Sequence, residues 1–97
     1  MLHTVNKSPF SSISLDQCAR FVQQGESVLL YEDAVYAAQA GTSYAAKIQD
    51  LLKKAKVYAL SADLKARGID KIVDGVKVVD YGGFVDLVAE QKTNAWL

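Results

Sequence analysis

The stretch SVLLYE (Ser27–Glu32) decides the fold. Val28–Tyr31 is apolar without a break, and two carboxylates, Glu32 and Asp33, follow at once. A strand with one wet face alternates apolar and polar residues. An uninterrupted run is the mark of a strand buried on both faces, and such strands belong to parallel sheets covered by helices. Working outward, each neighbouring segment should therefore be a helix or another strand of that sheet.

Upstream, SISLDQCARFVQQG (Ser12–Gly25) repeats apolar residues at helical spacing: Leu15, Cys18, Ala19 and Val22. Ser14 and Gln17 stand at capping-box spacing, Asp16 suits the positive end of the helix dipole, and Gly25 is a natural stop. Before it, LHTV (Leu2–Val5) reads as a first strand, ended by a loop at Pro9. Downstream of Asp33, Gly41 divides a short helical turn from a longer helix over 43–55. KVYAL (Lys56–Leu60) is the next strand, and SADLKARG is a short helix with Ser61 as N-cap and Gly68 as stop. VKVV (Val76–Val79) is a fourth strand, YGGFVDLVAEQ a last helix, and the terminal NAWL a short final strand. Strands alternating with helices at these spacings predict one small, doubly wound α/β domain over residues 1–97. It has about five mostly parallel strands, with helices on both faces.

Composition narrows the function. Eleven basic residues balance eleven acidic ones, so strong electrostatic binding to a nucleic-acid backbone is not expected. One cysteine cannot form an internal disulfide. MLHTVNK has no basic n-region and no long apolar h-region, and no apolar stretch approaches a membrane span. A cytoplasmic protein is the expectation. At 51% apolar residues in 97, the chain also carries more apolar matter than so small a domain needs, which implies cover by a partner subunit.

Ligands of open parallel sheets gather outside the carboxyl ends of the strands, near a switch in strand order. The segments leaving those ends supply Asn6, Lys7, Ser8, Asp33, Ser61, Asp63, Asp80 and Tyr81. YGGF lacks the G-x-G-x-x-G fingerprint, so nucleotide binding is not indicated. His3, the one histidine, lies within a strand and reads as a packed or hydrogen-bonded residue. One histidine and one cysteine fifteen residues apart match no zinc spacing, so neither metal nor cofactor is expected. Glu32 and Asp33 would point to opposite faces, which argues against an acid–base pair; Asp33 suits a cap or a polar contact at the strand end.

Cys18 carries two readings. With Ser14 as N-cap, Ile13 and Cys18 occupy the two positions of a hydrophobic staple, and the thiol is packing. Near a helix N-terminus a thiol can instead be acidified into a nucleophile, although the dipole fades within the first turn.

MLHTVNKSPF, SVLLYEDAVYAA, KVYALSADLKARGI, VVDYGGFVDLV and the terminal AWL together resemble the DsrH/TusB family, over essentially the whole chain. LHTVNKSP and the ALxxDLxARG pattern at 59–68 are the most specific parts. The resemblance implies the small subunit of a cytoplasmic DsrEFH- or TusBCD-type sulfur-relay complex. Its partners would be a DsrE/TusD-like and a DsrF/TusC-like subunit in a heterohexamer, with a DsrC/TusE-like carrier protein served through the complex. Sulfur passes through such complexes as persulfide. The pathway is either intracellular sulfur oxidation or thiolation of the tRNA wobble uridine, and the main accepting cysteine lies in the DsrE/TusD-like subunit. DsrH-type members carry a cysteine in the first helix, where Cys18 falls, and TusB-type members can lack it. The resemblance therefore implies the sulfur-oxidation branch, with Cys18 as an auxiliary sulfur carrier. The alternatives are a TusB-type subunit for tRNA thiolation, or a purely structural assembly subunit. An unrelated small-ligand binder using Asp33, Ser61 and Asp80 is a further class.

Overall fold

The computed structural model describes residues 1–97, and its centre is the strand on which the sequence reading turned. β2 (Ser27–Leu30) is buried at every residue and hydrogen-bonds on both sides. Its neighbours are β1 (Leu2–Val5) and β3 (Lys56–Leu60), with β4 (Lys77–Val79) and β5 (Thr93–Trp96) at the edges. The order is β4-β3-β2-β1-β5 and every pairing is parallel. The connections are α1 (Ser14–Phe21), a 3₁₀ helix (Glu32–Ala38) followed by α2 (Ala45–Leu52), α3 (Ser61–Ala66) and α4 (Tyr81–Glu90). From β1 to β4 the chain steps in one direction, so right-handed crossovers put α1, α2 and α3 on one face. The step from β4 back to β5 reverses direction and puts α4 on the other.

The register sorts the side chains. Val5, Val28, Leu30, Val57 and Ala59 share one face and join Leu15, Cys18, Ile48, Leu51 and Leu64 in a core cluster of 20 residues. Leu2, Thr4, Leu29 and Leu60 alternate to the face that α4 covers and are buried there. Each leucine sealed in this way is worth roughly 2 kcal/mol over leaving it in water. The rings of Tyr31 and Phe84 stack at 6.3 Å, pinning the first turns of α4 above the end of β2.

Several local expectations need correction. α1 begins at Ser14 itself, its N-cap is Ile13, and no side chain caps it. Ser12 serves instead: its Oγ accepts the Ser14 N–H at 3.1 Å, the short-range turn that serine side chains favour. The staple is therefore absent, since Ile13 is 62% exposed while Cys18 is sealed in the core. α1 also stops at Phe21, because Val22 is extended; Gly25, at φ +87°, makes the turn into β2. Ser61 is the first residue of α3 and donates no cap. Gly68 does end that helix, at φ +65°, in a Schellman motif. The Gly68 N–H bonds the Lys65 carbonyl and the Ile69 N–H bonds that of Leu64, with Leu64 and Ile69 both in the core. The segment after β2 is a full seven-residue 3₁₀ helix, α2 is shorter than expected, and β4 starts at Lys77.

Candidate functional site

The carboxyl edge is where a doubly wound sheet offers a site, and here the order switches between β1 and β5. At the end of β2 the backbone of Glu32 takes φ +49°, a left-handed conformation that costs a non-glycine residue about 1 kcal/mol or more. Its N–H donates to Asp63 Oδ2 at 2.7 Å, which holds the turn. Arg67, at the end of α3, closes the arrangement. Its Nη2 and Nε donate to Asp33 Oδ1 at 2.8 and 3.0 Å, and its Nη1 reaches the carbonyl and Oδ1 of Asp63 at 3.2 and 3.4 Å. The two carboxylates raise the Arg67 pKa, the Asp33 hydrogen bond most, and the guanidinium lies 6.0 Å from the centre of the Tyr36 ring. Asp33, Asp63 and Arg67 thus fasten the 3₁₀ helix to α3. Arg67 satisfies one oxygen of each carboxylate, and the second oxygen of Asp63 is taken by the Glu32 N–H.

The other edge residues do not converge. Asp80 is the N-cap of α4, its Oδ1 accepting the Gly83 N–H at 2.8 Å. Ser8 closes the loop after β1, its Oγ accepting from the Phe10 N–H at 3.2 Å. Lys7 and Tyr81 face solvent, Ser61 is half-buried, and the Asn6 Oδ1 is buried without a protein partner. A depression of about 460 Å³ lies between α1 and α2, over Leu15, Ala19, Ile48 and Leu51, and includes none of these edge residues. No group of three His, Cys, Asp or Glu side chains is placed to hold a metal ion. No helix is long and apolar enough to cross a membrane.

Cys18 sits on the inner face of α1 with 0% exposure, in contact with the main core. Burial in apolar surroundings, reinforced by the Glu26 carboxylate and only partly opposed by Lys54, pushes its thiol up to about 12. At neutral pH the group is a protonated thiol with no path to a protein-sized donor. A persulfide acceptor needs the reverse on each count: thiolate, exposure and access.

His3 is also interior, and its two nitrogens are both used. Trp96 Nε1–H, which can only donate, makes a hydrogen bond to His3 Nδ1 at 3.1 Å. The ring proton therefore sits on Nε2, which donates to Glu26 Oε1 at 3.0 Å. Glu26 accepts the Gln23 N–H at 2.8 Å as well, and that bond, with His3 second, holds its carboxyl below the usual range. The histidine is a pin joining β5, β1 and the turn before β2. Nothing in the local sequence marked Trp96 or Glu26 as its partners, since they lie 93 and 23 residues away.

These features define a class: a small doubly wound α/β protein with its one thiol locked in the core and its carboxyl edge tied by ion pairs rather than opened into a cleft. The family described as "DsrH like protein" matches residues 7–94, and the chain belongs to that family. It is 38% identical to Protein TusB of Pectobacterium parmentieri, and the match covers 99% of this chain and 100% of that protein. To Protein TusB of Escherichia coli K12 it is 35% identical, over 99% and 100% of the two chains. The crystal structure of the ychN protein from E. coli shares the fold at TM-score 0.80 and 19% identity, over 95% of this chain and 94% of that one. MTH1491 of Methanobacterium thermoautotrophicum, a protein of unknown function, does so at TM-score 0.74 and 19% identity, over 97% and 95%.

Proposed function

We propose that this chain is the small, non-catalytic subunit of a cytoplasmic TusBCD-type sulfur relay, serving thiolation of the tRNA wobble uridine. The observation that carries the reading is the end-to-end likeness to proteins named TusB, joined to a thiol that the fold keeps protonated and out of reach. The sulfur-oxidation branch drew its support from the presence of a cysteine in the first helix; the carrier role that the resemblance attached to Cys18 gains no support from its buried position. In a relay step a thiolate forms a bond to the outer sulfur of a persulfide, the donor's S–S bond breaks, and the donor leaves as a thiolate. That step would belong to a cysteine of a sibling chain, with this chain completing the assembly.

The test is reconstitution from this chain, its TusC- and TusD-like siblings, the carrier protein and tRNA, with thiouridine read by mass spectrometry. Omitting this chain is expected to lower thiouridine at least tenfold, and Cys18→Ala to restore it to within twofold of wild type. One added sulfur atom on the Cys18 peptide, together with loss of transfer in Cys18→Ala, would overturn the non-catalytic role.

A further inference from the structure

His3 is a buried histidine with no spare nitrogen. The residue is 1% exposed, and each ring nitrogen already has a fixed part in a hydrogen bond. Nε2–H donates to Glu26 Oε1 at 3.0 Å, and the Nδ1 lone pair accepts from Trp96 Nε1–H at 3.1 Å. A second proton has only Nδ1 to enter, and in an imidazolium both nitrogens are donors. There it would face the indole N–H, which has no way to accept it. A charged His3 and the Trp96 bond exclude one another.

What the bond holds is an edge strand. β5 pairs with β1 alone, and its residues alternate between exposed and half-buried. Trp96 is its inward anchor, and the indole also meets Phe21 of α1 edge-on, 5.7 Å between ring centres. The bond to His3 is the side-chain hydrogen bond that ties β5 to the rest of the sheet. Around His3, Glu26 comes from the turn before β2, with the Met1 amine 3.8 Å from its other oxygen. Cys18 of α1 is a protonated thiol, and Lys54 gives its Nζ to the Ala19 carbonyl at 2.7 Å. The strand neighbours of His3, Val28 and Asn94, do not titrate. Glu26, kept in its carboxylate form chiefly by the Gln23 N–H, is therefore the group that balances an imidazolium here.

We infer that His3 and Trp96 form an acid-released latch: a proton taken up at His3 Nδ1 expels the indole and frees β5 from the edge of the sheet. The proton comes from solvent, the hydrogen bond from Trp96 is what breaks, and no covalent bond between heavy atoms changes. Glu26 keeps its hold on Nε2–H, so the release is confined to the side of β1 that carries β5. The latch is closed while the ring is neutral and opens as the ring charges. Because Trp96 stabilises only the neutral ring, linkage demands the reverse effect as well: deleting the indole makes His3 easier to protonate.

The experiment is an NMR pH titration of the full chain that follows the His3 Cε1–H and the Trp96 indole N–H, with tryptophan fluorescence beside it. One histidine and one tryptophan make both signals unambiguous. The two resonances and the emission should move with a single midpoint while far-UV circular dichroism stays native. Across that midpoint the amide protection factors of Thr93–Trp96 should fall at least tenfold, and those of Ser27–Leu30 should hold. Trp96→Phe should raise the His3 midpoint by about half a pH unit, the worth of one hydrogen bond. His3→Gln keeps an oxygen that can accept the indole proton and does not titrate, so its emission should stay flat over the same range. An indole signal that ignores the His3 titration, or a His3 midpoint unmoved in Trp96→Phe, would overturn the inference. So would loss of the far-UV signal at that midpoint, since the wild-type chain would then be unfolding as a whole.

Discussion

Cys18 and His3 show how little a residue's type says about its chemistry until its surroundings are fixed. The thiol occupies one apolar place in the core, and its acidity is set by that burial and by Glu26 across the turn. Alkylation of native protein at neutral pH should be slow and limited by opening of the fold, then complete within minutes in denaturant; rapid native labelling would contradict the buried state. Cys18→Ala should cost about 1–2 kcal/mol by chemical denaturation, the usual loss for a small cavity with no partner left charged. Trp96→Phe probes the histidine pin. It removes the indole donor and leaves Nδ1 unpaired in the interior, so a loss of about 1–3 kcal/mol is expected, read in the urea midpoint.

Elements end where the backbone finds partners, and the two best-defined ends here are those of α3 and α4. Gly68 holds φ +65° with open space where a Cβ would lie, so Gly68→Ala is disfavoured by backbone strain alone and should cost about 1 kcal/mol. Asp80→Ala should cost about 0.5–2 kcal/mol by orphaning the Gly83 N–H, and Asp80→Asn should recover most of it, since the amide oxygen can still accept. Thermal melts of the three variants separate the two mechanisms. The Gly68 signal was legible in the sequence because a glycine after a short apolar helix has a local meaning. Ser14 and Ser61 carried equally local signals and did not cap. At α1 the chain turns through Ser12, and α3 starts directly from β3 with no loop between them.

Across the molecule, pH should act through carboxylates that tie distant elements together. Asp16, on α1, accepts from Tyr44 Oη at 2.7 Å and pairs with Lys47 at 3.3 Å, and the Tyr44 bond above all lowers its pKa. Glu26 is lowered as well, by the Gln23 N–H first and His3 next. A group whose folded pKa lies below its unfolded value stabilises the fold above the unfolded pKa, and the benefit is lost as pH falls through the folded one. Stability should therefore hold at neutral pH and fall once the pH drops below the ordinary carboxylate range, near 4. Urea midpoints measured across that range should decline for wild type and decline less for Asp16→Asn with Glu26→Gln.

The parallel α/β architecture followed from the sequence alone, because hydrophobic periodicity, glycine stops and the alternation of strand and helix are properties of neighbours along the chain. LHTV, SVLL, KVYAL and the terminal strand each declared themselves within a few residues. Tertiary structure alone decided that the thiol is sealed, that His3 joins Trp96 to Glu26, and that Asp33, Asp63 and Arg67 bind one another. It also left all ten residues of α4 short of full burial. Burial and pairing are made by side chains tens of residues apart, and no local pattern encodes which distant group will arrive.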